Sequence, residues 1–204
     1  MARSYLRNVK APGMAVPSAP LPVLRFAGLL AANEQFLAAA RHELSQWYGV
    51  VDDVSETIAF RFTDYYQDQM GRDLLRQWVR FSTLFAPEQL AKCKLETNMA
   101  EVLLARQFSP SPVPRPVNVD PGYVSRYKVV LATTKDHSHR VYLADGIYAE
   151  VTLHWSANRW TAWPWTYADY QTPAAQRFFE KARASYLQQL PQILQTPVHG
   201  PANK

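Results

Sequence analysis

The 204-residue sequence predicts an α+β fold: a ferredoxin-like βαββαβ core, extended by a C-terminal β-hairpin or meander and a terminal helix. Three observations carry this. Segments with helical and with two-residue apolar periods follow one another in the order β-α-β-β-α-β as far as Val117. A long alternating stretch from Arg140 to Trp155 reads as a hairpin, and an amphipathic helical pattern follows Pro173. With 48% hydrophobic and 13% aromatic residues the chain can bury a sizeable core, read as one domain over residues 23–190.

The elements follow in order. Residues 1–22 hold Pro12, Pro17, Pro20 and Pro22 among small and basic residues, and are expected to form a disordered, basic, Pro-rich leader. The apolar run from Val23 to Leu30 predicts a buried strand. Asn33 then caps a helix with Phe36, Leu37, Ala40, Leu44, Trp47 and Tyr48 on one face, and Gly49 stops it. Ile58, Phe60 and Phe62 alternate with polar residues, a polar-aromatic insertion spans residues 64–76, and a second alternating run covers residues 78–85. Pro87 suits a first helical position, and helical spacing continues over residues 88–106. After the proline-rich breaker of residues 109–116, a short strand resumes at Val117 and is expected to end in a turn at Asn118 to Tyr123, with Pro121 and Gly122 at its centre. Lys128 to Thr134 fits a buried strand or a short helix equally well. Thr172 and Pro173 open the last helix, Phe178, Phe179, Ala182, Tyr186 and Leu190 line it, and Pro191 is expected to end it before a flexible tail over residues 191–204.

Two registers compete for the hairpin. A two-residue Asp145-Gly146 turn pairs Leu143 with Tyr148 and mixes apolar with polar partners. A three-residue loop, Ala144-Asp145-Gly146, pairs Leu143 with Ile147, Tyr142 with Tyr148 and Arg140 with Glu150, and keeps one face apolar. In this register Tyr142, Tyr148, Arg140, Glu150 and Thr152 share the other face. That face is either solvated, with an ion pair worth under about 1 kcal/mol, or the floor of a polar pocket.

Charge and cysteine content narrow the function. The net charge is +5, but Arg3, Arg7, Lys10 and Lys204 lie in the tails, which leaves the body near +1, without a strong nucleic-acid signal. Cys93 is the only cysteine, so neither a disulfide framework nor a cysteine zinc site can form, and a reducing, cytoplasmic setting fits. No apolar run approaches the roughly 20 residues of a membrane span, so no membrane association is expected. A packed helical role is expected for Cys93, and a solvated face for the stripe Lys94, Thr97, Asn98 and Glu101.

The polar residues of Asn118 to Glu150 are the candidate site. His137 and His139 share a strand face, but no second ligand cluster accompanies them, so no metal site is predicted and the sequence names no cofactor. Lys135 and Arg140 are the expected anion-binding residues, with Asn118, Tyr142 and Tyr148 as further ligand contacts. His139 is the candidate acid or base, and Glu150 and Asp120 orient or accept a proton. Strand parity sets His139 apart from Arg140 unless the chain is still entering the sheet there. For Asp120 the competing role is to bond the backbone of its own turn.

These segments resemble a prokaryotic family known as domain of unknown function 4416. The resemblance rests on Asn118-Val119-Asp120-Pro121-Gly122-Tyr123 and the run from Val129 to Leu153. It also takes in Phe62-Thr63-Asp64-Tyr65-Tyr66 with Met70-Gly71, Lys94 with Thr97-Asn98, and Pro164-Trp165-Thr166-Tyr167 with Asp169-Tyr170. It spans roughly Val23 to Leu190 and implies a compact prokaryotic domain, with no established activity. Gln69, His137 and Ala168 depart from the pattern, and with His137 departing only His139 fits it. The function these residues suggest is binding or processing of a small phosphorylated or carboxylated ligand. The alternative is a non-catalytic interaction module, and the sequence does not specify an oligomeric state.

Overall fold

The computed structural model describes residues 15, 17–111 and 113–195. Most of the expected leader and the end of the expected tail lie outside the described residues. Among the described residues nine strands form one antiparallel sheet, β1 (Val23–Ala31), β2 (Val51–Val54), β3 (Ile58–Phe60), β4 (Leu74–Phe85), β5 (Val117–Val124), β6 (Lys128–Thr133), β7 (Val141–Ala144), β8 (Ile147–Ser156) and β9 (Arg159–Ala162). The helices are α1 (Glu34–Tyr48), the single turn α2 (Gln67–Met70), α3 (Leu90–Gln107) and α4 (Pro173–Gln195). The sheet runs β2-β4-β1-β5-β6-β8-β7, with β3 also on β4 and β9 also on β8.

Both faces of the sheet are covered, and β1 shows why its sequence is apolar throughout: all nine residues are buried. Ala27, Leu29 and Ala31 pack against α1 and α3, beside Leu37, Leu44, Ala100 and Leu104. Leu24 and Phe26 point the other way, into a layer closed by Phe178, Phe179, Ala182 and Tyr186 of α4. Asn33 caps α1 by accepting from Phe36 N at 2.9 Å, and Gly49 follows the helix with φ 85°.

Five expectations are corrected. Asn118 to Tyr123 is not a turn but the body of β5, paired with β1 from Val117 to Val124. Pro121 is tolerated because pairing with β6 starts only at Gly122. Gly122 does not supply positive φ; it supplies space, since a Cβ there would stand 2.4 Å from Val130 O and 2.6 Å from the Phe26 ring. Second, Phe62 lies beyond β3, and β2, hidden by its aspartates, precedes it; Asp52 Oδ1 accepts from Arg80 Nε of β4 at 2.8 Å. Third, α4 runs through Pro191 to Gln195.

Fourth, the hairpin has the expected central register, Tyr142 opposite Tyr148 and Val141 opposite Ala149, but a different turn. Ala144, not Leu143, faces Ile147, so a bulge at Leu143 absorbs the extra residue and the turn is Asp145-Gly146 at φ 52° and 74°. A second bulge, at Thr152, switches the parity of β8: Ala149 and Val151 face α3, whereas Leu153 joins the α4 layer. Fifth, the polar stripe of α3 is not solvated. Lys94 and Thr97 are buried against β5, and Leu95, Met99, Val102 and Leu103 face outward.

Candidate functional site

A cavity of about 680 Å³ opens where the β3–β4 connection, α3, β5, the β6–β7 loop and the segment before α4 meet. Its size is that of a small-molecule site. Asn118, Asp120, Lys135, His139, Arg140 and Glu150 all line it. Tyr142 and Tyr148 do not; they pack edge to face on each other at 5.5 Å, away from the cavity.

At the inner end, Asp120 projects from β5 between two cations. Lys94 Nζ lies 3.3 Å from Oδ1 and donates at 2.8 Å to Val119 O; Arg76 Nη1 lies 4.0 Å from Oδ2. Asn118 Nδ2 donates to Oδ2 at 2.7 Å. Burial pushes the Asp120 carboxyl up, but Lys94, Arg76 and Asn118 outweigh it and hold the group below its ordinary range. Asp120 therefore remains ionised, and its side chain is still 25% exposed, facing the cavity. Glu101 accepts from Val119 N at 2.8 Å and from Arg115 Nη2 at 2.7 Å, and Arg115 also donates to Asn118 Oδ1. This chain of bonds explains why α3 turns its polar stripe inward. Burial raises the Glu101 carboxyl despite Lys94 and Arg115.

Arg76, on β4, pairs with Asp169 at 2.7 Å, both side chains almost wholly buried. Burial opposes the guanidinium charge, and Asp169 overcomes it. Asp169 comes from the turn Ala168–Gln171, whose Tyr170 stacks on Phe179 of α4.

The outer wall is built on Glu150. Arg140 Nε meets Glu150 Oε2 at 2.8 Å, with side-chain exposures of 3% and 1%, so the pair is buried and not solvated. Arg140 also donates to Lys135 O at 3.0 Å and to the Tyr167 hydroxyl at 2.8 Å. His139 is not set apart: β7 begins only at Val141, so the chain is still entering the sheet, and His139 Nε2 reaches the same Glu150 oxygen at 3.3 Å. The imidazole stacks between His137, at 6.0 Å, and Trp165, at 5.3 Å. Lys135 Nζ sits 3.9 Å over the ring of Tyr65, whose phenol is lowered by its hydrogen bond to Lys135 and by that charge.

The sequence reading missed Arg76, Arg115, Asp169 and Tyr170. Lys94 and Glu101 carried a signal, helical spacing of polar residues, which was assigned to the wrong side of α3. Arg76 carried none, because it reads as the end of the polar-aromatic insertion of residues 64–76, whereas β4 already begins at Leu74. Among the described residues no group of three or more His, Cys, Asp or Glu could hold a metal ion. No helix among them is long and apolar enough to cross a membrane.

No curated protein and no solved structure matches the chain. The segments Phe62–Tyr66, Lys94–Asn98, Asn118–Asp120 and Trp165–Tyr170 each contribute to the cavity. All of them fall within residues 21–186, which match a family model along most of the chain, and the protein belongs to the family described as domain of unknown function (DUF4416).

Proposed function

We propose that this protein binds a small anionic ligand, phosphorylated or carboxylated, in the cavity between α3 and the Arg140–Glu150 pair. The observation that carries the reading is the balance of charge. Arg76, Lys94, Arg115 and Arg140 each have a carboxylate partner in Asp169, Asp120, Glu101 and Glu150. Lys135 has no carboxylate partner among the described residues: its ammonium lies over the Tyr65 ring and bonds that phenol, which leaves its charge available to an incoming anion. If the ligand is also processed, His139 is the acid or base and Glu150 orients it, while ionised Asp120 accepts a proton or a hydrogen bond.

A thermal-shift panel of nucleotides, sugar phosphates and divalent metals tests this on the wild type and on Lys135→Ala. A ligand at 100 times its Kd stabilises by about 2.7 kcal/mol, and the variant should lose most of that response. Silence across the panel would favour the second reading, a non-catalytic interaction module, which the outward apolar stripe of α3 supports: Leu95, Met99 and Val102 are 42%, 55% and 45% exposed.

The strand order β2-β4-β1-β5, with α1 and α3 on one face, supports a ferredoxin-like reading of the first half of the sheet. A single buried cysteine supports a reducing, cytoplasmic setting.

A further inference from the structure

The inner end of the cavity holds donors that the protein itself does not use. Arg76 and Tyr170 line it and are 4% and 1% exposed, yet among the described residues no group accepts from Arg76 Nη1 or from the Tyr170 hydroxyl. Trp78 leans its indole toward that hydroxyl, but an indole N–H is itself a donor, so the phenolic proton still lacks an acceptor. Leaving a buried donor unmet is costly, and a ligand that supplies the acceptor recovers that cost. Gly28 makes room for these two atoms: a Cβ on it would stand 3.0 Å from the Tyr170 hydroxyl and 3.2 Å from Arg76 Nη1.

The group that fits there is not a second anion. Arg76 and Lys94 are matched at this end by Asp169 and Asp120, so the local charge is close to zero. What remains is a pair of free donors beside a carboxylate with unused lone pairs, since Asp120 accepts only from Lys94 and Asn118 among the described residues. Arg76 Nη1 and Asp120 Oδ2 are 4.0 Å apart, too far for a hydrogen bond to each other, so both can bond a third group. A neutral edge presenting a carbonyl oxygen next to an N–H satisfies both. Phe60 and Tyr66 stand at this end of the cavity as flat apolar walls.

We propose that the ligand is a nucleoside monophosphate whose base carries a carbonyl beside a ring N–H, as uracil and guanine do. The base enters the inner end, its carbonyl accepting from Arg76 and Tyr170 and its N–H donating to Asp120, and the phosphate meets Lys135. This rests on the anionic-ligand reading above and adds the identity of the buried end. The volume, about 680 Å³, accommodates a whole nucleotide.

Isothermal titration with uridine, guanosine, adenosine and cytidine 5′-monophosphates, with uridine and with inorganic phosphate, tests it on the wild type, Lys135→Ala and Tyr170→Phe. The uridine and guanosine nucleotides should bind at least about tenfold more tightly than the adenosine and cytidine ones. Tyr170→Phe keeps the ring that stacks on Phe179 and so should fold, and it should erase most of that preference. Lys135→Ala should weaken the nucleotides but not uridine. Equal binding of all four nucleotides, or binding of inorganic phosphate alone, overturns the base assignment while leaving the anionic-ligand reading standing. No binding of any probe overturns both.

Discussion

Asp120 and Glu101 belong to one hydrogen-bonded chain through Asn118 and Arg115, yet their titrations oppose each other. Asp120 is lowered from its ordinary 3.8, so its contribution to stability is complete above that pH and is lost as the pH falls through the folded value. Glu101 is raised from 4.5, so the fold favours its protonated form, and that contribution fades as the pH rises through the folded value. Urea denaturation across the acid range should therefore show a shallower loss of stability below pH 3.8 in Asp120→Asn than in the wild type. Glu101→Gln should leave that limb in place and remove the opposing drift above pH 4.5. Equal acid limbs in the wild type and Asp120→Asn would refute the assignment. At Gly122 the controlling quantity is space: Gly122→Ala forces a Cβ into Val130 O and the Phe26 ring, and should cost about 3 kcal/mol, read as a lower urea midpoint at unchanged slope. Residue identities made Asp120 and Glu150 visible as candidates. The hairpin register gives Arg140 as the partner of Glu150, but the neighbours that fix the charge of Asp120 are not legible, because Arg76 and Lys94 arrive from other elements.

Helix α3 shows most clearly where a sequence pattern misleads. Its spacing was legible, but the usual rule, apolar inward, assigns it the wrong face. The rule fails because β5 and the cavity offer the polar stripe carbonyl and carboxylate partners, which makes burial of Lys94 and Glu101 feasible. The energetic consequence is inverted as well. Lys94→Ala leaves the Val119 carbonyl and Asp120 short of a buried partner and should destabilise by about 2–4 kcal/mol. Met99→Lys, at an apolar position 55% exposed, should stay within about 0.5 kcal/mol of the wild type. Thermal melts of the two variants decide it, and a larger loss for Met99→Lys would mean that the stripe is covered in the native state. The β7–β8 hairpin is legible in its central pairing, which the alternation fixes, but not in its turn, where Asp145-Gly146 replaces the expected three-residue loop. Its two bulges were invisible because Leu143 and Thr152 differ in no local way from their neighbours; each is decided by what the flanking strand and layer accept.

Across the whole molecule, the α+β class and the order of most elements follow from periodicity, but the cavity does not, because its walls come from segments scattered between Phe60 and Tyr170 and periodicity does not say which segments meet. The layer structure shows how they are held. The inner end of the cavity rests on the α4 layer, where Tyr170 stacks on Phe179 at 5.6 Å with an interplanar angle of 19°, whereas α1 covers the opposite face of the sheet, where Phe36 packs against Phe108. Truncating either ring removes a large buried side chain, so Phe179→Ala and Phe36→Ala should each cost about 3–5 kcal/mol. Their local effects should differ. With Phe179 gone, Tyr170 loses its support and the turn bearing Asp169 loosens, which should speed hydrogen exchange at the Thr166, Tyr170 and Thr172 amides, now bonded to Trp163, Tyr167 and Asp169 carbonyls. Phe36→Ala should leave those amides protected under native conditions, because the sheet stands between them and α1. Equal acceleration in both variants would show that the two layers open as a single unit and that α4 has no separate hold on the cavity.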